Sequence, residues 1–87
     1  MTKTIANDMR TTINSCGERY PTYYSSKAQT LSFRVYSYIN NAYSKEMEEA
    51  AIIGLLNKVA HAGYRNSYRI VRRTYQGFIH DTDVIFS

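Results

Sequence analysis

Eighty-seven residues, 44% hydrophobic and 21% charged, suffice for one globular domain spanning 1–87, but leave little chain for a scaffold plus an enclosed active site. The single cysteine excludes an internal disulfide framework and fits a reducing cytoplasm, and no apolar run reaches the roughly 18 residues of a membrane span or the core of a secretion signal. The net charge of +4 is spread out, with five basic and two acidic residues up to residue 43, two and three over 44–63, and four and two thereafter, so no basic tail exists.

The first element predicted is a helix. Ile5, Met9, Ile13 and Cys16 recur on one face of a 3.6-residue period, with Thr2 or Thr4 to cap the start and Gly17 to end it. On that reading Cys16 is a buried structural thiol. The stretch "GERYPTYYSS" follows as a loop, because Pro21 pushes Tyr20 toward extended geometry and the neighbouring residues show no period. Tyr23 and Tyr24 in that loop either pack it onto the helices or form a recognition surface.

Residues 26–41 admit two readings. As a helix, Ala28, Leu31, Val35, Tyr38 and Ala42 form a stripe, Ser26 with Gln29 makes a capping box, and Asn40–Asn41 ends it. As a strand at 30–39, Leu31, Phe33, Val35 and Ile39 share one face and Arg34, Tyr36 and Tyr38 the other, which suits the β-branched and aromatic content. The cap signals tip the balance toward helix.

The clearest element is "SKEMEEAAIIGLLNKVAHAG". Ser44 caps it, and Glu46, Glu48 and Glu49 complement the positive end of its dipole. Its apolar face, Met47, Ala51, Leu55, Val59 and Ala62, is widened by Ile52, Ile53, Leu56 and Ala60, which predicts a central helix contacted on more than one side. Gly54 within that run suggests a neighbouring backbone passing close.

Residues 67–86 read as a hairpin turning at "TYQG". A three-residue loop with Gly77 in the left-handed position sets Thr74 opposite Phe78 and pairs Ile70 with Thr82, Arg69 with Asp83 and Tyr68 with Val84. One face then holds Tyr68, Ile70, Phe78, Val84 and Phe86, and the other Arg69, Arg73, Asp81 and Asp83 around Val71, Ile79 and Ile85. A two-residue loop would instead place Asp81 and Asp83 beside Ile70 and Tyr68. In the adopted register Asp83 and Asp81 explain Arg69 and Arg73. Arg65 and Arg72 are left without a partner.

The search for chemistry is short. His61 and His80 are the only histidines and fall on separate elements, and no spacing of Cys, His, Asp or Glu matches a metal site. Gly17, Gly54, Gly63 and Gly77 never cluster into a phosphate-cradling loop. The expectation is a protein with no catalytic residues, no metal and no cofactor.

If 26–41 is helical, the order is helix, helix, helix, hairpin, an α+β domain. A long apolar helix running into "HAGYRNSYRIVRRTYQG" is then similar in outline, over residues 26–87, to winged-helix DNA-binding domains. That resemblance implies a base-reading helix at 44–61, yet Glu46, Glu48 and Glu49 stand where phosphates would approach.

Two functions are expected. The first is a small effector or inhibitor, of the kind encoded by viruses and mobile elements, that docks on a larger protein or complex; excess tyrosine with interspersed arginine is the composition of interface hot spots. Its contact residues would be Tyr23, Tyr24, Arg34, Tyr36, Tyr64, Arg65 and Arg72. The second is nucleic-acid binding, with Arg34, Arg65, Arg69, Arg72 and Arg73 on phosphates and tyrosines stacking on bases, in keeping with a pI near 9.3.

Overall fold

The computed structural model describes all 87 residues. They form an α+β domain of two helices and six strands: α1 (Lys3–Asn14), β1 (Thr22–Ser25), β2 (Thr30–Val35), β3 (Tyr38–Ile39), β4 (Ala42–Tyr43), α2 (Lys45–His61), β5 (Tyr68–Tyr75) and β6 (Phe78–Phe86). Four strands make one antiparallel sheet in the order β1-β2-β6-β5, and β3 and β4 make a separate two-stranded ribbon.

Helix α1 begins where expected, with the Thr2 hydroxyl accepting the Ile5 N–H at 3.2 Å. Its buried stripe is Ala6, Met9 and Ile13: Met9 and Ile13 lie on the covered side as predicted, Ala6 takes the place of Ile5, and Ile5 and Cys16 are exposed. The helix stops at Asn14, before Gly17. The Asn14 amide accepts the Tyr20 N–H at 2.8 Å and donates to the Tyr20 carbonyl at 3.0 Å, which closes the loop back onto the helix end.

Residues 26–41 are strand and turn, not helix. Leu31, Phe33 and Val35 are buried and alternate with half-buried Thr30, Ser32 and Arg34, the period of two that a one-sided sheet requires. The cues that mimic helix caps serve turns instead. Gln29, at φ +56°, closes the β1–β2 connection, and Asn40 and Asn41, at φ +52° and +63°, form the two-residue turn of the β3–β4 ribbon. Without a helix here, the three-helix core of a winged-helix domain is missing.

Helix α2 is capped by Ser44, whose hydroxyl accepts the Met47 N–H at 3.3 Å. It buries Glu48, Ile52, Leu55 and Val59 and exposes Ile53, so it is a one-sided surface helix rather than a central one. Gly54 faces open space. Both helices lie against one face of the sheet. Between them and the sheet sit Tyr20, Leu31, Phe33, Val35, Val84 and Phe86, with Phe33 meeting Phe86 and Tyr20 edge to face at 5.7 and 6.1 Å.

The C-terminal hairpin turns in two residues, not three: Gln76 and Gly77 both have positive φ, and Tyr75 faces Phe78. A bulge then leaves His80 without a cross-strand partner between the Thr74–Ile79 and Arg73–Asp81 pairs. Beyond it Ile70 faces Val84, Arg69 faces Ile85 and Tyr68 faces Phe86, two residues from the predicted register. A shift of two preserves the faces. The bulge therefore undoes the inversion that a two-residue turn alone would impose, and the predicted separation of Ile70, Val84 and Phe86 from Asp81 and Asp83 holds. Carbonyls at the bulge are taken up by the Tyr38 hydroxyl, which reaches those of Ile79 and His80 and ties the β3–β4 ribbon to the sheet.

Candidate binding surface

The seven residues singled out above divide between scaffold and surface. Arg72 is scaffold. It lies on the helix-covered face, directly opposite Thr82, and its guanidinium donates to both carboxylate oxygens of Glu48, at 2.7 and 2.8 Å. Glu48 is only 1% exposed and also accepts the hydroxyls of Thr82 at 2.7 Å and Tyr43 at 2.8 Å. Burial pushes the Glu48 carboxyl pKa up. The hydrogen bonds from Arg72, Thr82 and Tyr43 and the Arg72 charge outweigh that and hold it at about 2. Tyr43 is raised, chiefly by burial and then by Glu48, so it remains a donor. The network binds α2, the ribbon and both strands of the C-terminal hairpin at one point.

Glu48 was missed as a buried residue, although the sequence carried the signal. It opens the series Glu48, Ile52, Leu55, Val59, spaced by four, three and four, which shares Leu55 and Val59 with the predicted face but starts at Glu48 rather than Met47.

Tyr24 and Tyr64 are also half-buried scaffold. Both pack against the core; the Tyr24 hydroxyl donates to the Met1 carbonyl at 2.9 Å, and that of Tyr64 to the Asp8 carboxylate. Arg65 is exposed past the end of α2 and takes part in no ion pair.

Tyr23, Arg34 and Tyr36 come together. The sheet face turned away from the helices carries Arg34 on β2, directly opposite Asp83 on β6, with Nε donating at 3.1 Å. Arg34 also lies 3.6 Å from Asp81, which accepts from Arg73 of β5 at 3.2 Å. A row of alternating charges thus crosses three strands. Asp83 partners Arg34 rather than Arg69, because the bulge sets Arg69 opposite Ile85.

Arg34 and Pro21 are shared by two adjoining clefts. The smaller, about 140 Å³, runs past Tyr23, Ser32 and Asp83; the larger, about 410 Å³, past Arg19, Tyr20, Tyr36, Tyr38 and Asp81. Tyr23 is 68% exposed and Tyr36 58%, the latter meeting Tyr38 edge to face at 6.4 Å. Two open aromatic rings therefore flank a guanidinium whose planar fork is held in place by carboxylates.

A second exposed aromatic pair was not foreseen. Tyr75 and Phe78 flank the hairpin turn and Phe78 is 77% exposed, whereas the predicted register placed it on the core face. No helix in the chain is long and apolar enough to cross a membrane. Compared with known proteins, the chain matches no family model, no curated protein and no solved structure.

Proposed function

We propose that this is a non-enzymatic binding protein, of effector or inhibitor type, that docks on a larger protein or complex in the cytoplasm through the open face of its sheet. One observation carries this reading over nucleic-acid binding. Of the five arginines that would have met phosphates, Arg34, Arg72 and Arg73 are engaged by Asp81, Asp83 and Glu48, while Tyr23 and Tyr36 stand open beside the clefts. A phosphate approaching Arg34 would meet two aspartates as well, whereas an aromatic or hydrogen-bonding protein surface would not be repelled. Tyrosine beside a preorganised arginine is the combination that gives interface hot spots their affinity at low entropic cost. An exposed cysteine outside any disulfide suits a reducing compartment.

Affinity capture from the native host, with and without nuclease and followed by mass spectrometry, tests this. The reading expects a protein partner that survives nuclease and whose affinity falls only mildly between 50 and 200 mM salt, a decade-scale loss being the mark of phosphate contacts. Loss of the partner on nuclease treatment, with a steep salt slope carried by Arg65 and Arg69, would establish the nucleic-acid reading instead.

A further inference from the structure

A third cleft lies on the other side of Tyr23, between α1 and the edge strand β1. Its volume is about 350 Å³, and it is lined by Lys3, Asn7 and Arg10 from the helix and by Thr22, Tyr23, Tyr24 and Ser26 from the strand and its turn. Lys3, Asn7 and Arg10 are spaced by four and three, so they project from one side of α1 over about 10 Å of axis. Two cations thus share a cleft whose lining contains no carboxylate.

Arg10 is the informative residue. Its Nε is the one buried side-chain nitrogen or oxygen in the chain with no hydrogen-bond partner, and Arg10 takes part in none of the four ion pairs. Guanidinium cannot shed its charge, so a half-buried Arg10 with its Nε unpaired holds hydrogen-bonding capacity that no group of the chain uses. Every other arginine either has a carboxylate or, like Arg19, Arg65 and Arg69, is exposed to water. Arg10 alone is both sheltered and unpaired.

We infer that this cleft binds a phosphomonoester group. The planar fork of Arg10 and the Lys3 ammonium balance a dianion, and the Asn7 amide and the Thr22 and Ser26 hydroxyls stand around the cleft as further donors. That is more than the two oxygens of a carboxylate engage. The volume exceeds that of a bare phosphate ion, leaving room for the organic group that bears it. The inference rests on Arg10 and Lys3 rather than on the docking reading, although the cleft and the Arg34 surface share Thr22 and Tyr23.

The test is a titration of the whole chain followed by amide ¹H–¹⁵N shifts, at ionic strength held constant with chloride. The probes are inorganic phosphate, phosphoserine in a short neutral peptide, acetate and dimethyl phosphate. Saturable shifts confined to residues 3–10 and 22–26 are expected, with the phosphopeptide binding at least as tightly as free phosphate and both well above acetate and the diester. Arg10→Gln, which keeps the aliphatic stem, should weaken phosphate about tenfold with no fall in melting temperature, and Lys3→Gln by less. A phosphopeptide weaker than free phosphate would restrict the site to the bare ion and overturn the ester assignment. Non-saturable shifts, shifts unaltered by Arg10→Gln, or equal binding of acetate or diester would overturn the inference. If Arg10→Gln lowers the melting temperature, the Lys3→Gln titration decides between the same outcomes.

Discussion

The two faces of the sheet use the same residue types for opposite ends. On the covered face Arg72 meets a buried carboxylate, and the pair knits α2 to both strands of the C-terminal hairpin. On the open face Arg34 and Arg73 meet Asp81 and Asp83, which keep 21% and 16% of their side-chain surface in water, near the exposed Tyr23 and Tyr36. Burial separates the two. A carboxylate removed from water depends on every donor it has, whereas an exposed ion pair is screened and replaceable. Arginine in "AGYRNSYRIVRRTYQGF" therefore has no single role: Arg72 is architecture, Arg73 is solvated sheet surface and Arg65 is free.

The largest loss of stability is expected from the core. Phe33→Ala removes the ring that meets both Phe86 and Tyr20 and should cost about 3–5 kcal/mol in urea unfolding. Glu48→Ala comes next, at about 2–4 kcal/mol, because Thr82 loses a buried acceptor; the Arg72 side chain is 43% exposed and recovers water, which keeps the loss below that of a fully buried pair. Arg72→Ala should cost a similar amount, since it strands the Glu48 charge. On the open face Arg34→Ala should cost only about 0.2–1 kcal/mol, and Arg65→Ala less than about 0.5. An Arg34 effect as large as that of Arg72 would erase the distinction between the faces.

Acid sharpens the same contrast. The Glu48 pKa is depressed from 4.5 to about 2 on folding, so its contribution is complete above about pH 4.5 and fades as the pH falls toward 2. Urea midpoints for the native chain should fall across that window. Glu48→Gln should be less stable at neutral pH and show a flatter decline between pH 4.5 and 2. A mutant curve parallel to the native one would mean that Glu48 does not carry the acid sensitivity.

The sequence made some of this legible and concealed the rest for physical reasons. Period and caps located both helices, and alternation with a Gly turn located the hairpin and its two faces. The middle segment misled because left-handed Asn and a Ser–Gln pair suit helix ends and tight turns alike, and only pairing of β2 with β6 distinguishes them. The bulge at His80 has no signature of its own, yet it decides which aspartate faces which arginine. Tyr23, Arg34 and Tyr36 were recognisable as surface residues one at a time. That they flank a common pair of clefts depends on β1 pairing with β2 and on the fold of the loop before it, which no spacing encodes.

Whether the open face makes the contacts and the covered face only supports it is decided by one paired measurement on Tyr23→Ala/Tyr36→Ala. Melting temperature and capture of the identified partner are read side by side with those of Arg72→Ala at a temperature where that variant remains folded. The tyrosine double mutant should melt within about 2–4 °C of the native chain and lose at least tenfold in capture, and the Arg72 variant should melt lower but still bind while folded. Undiminished capture by the folded tyrosine double mutant, or loss of capture by folded Arg72→Ala alone, would contradict that division between the faces.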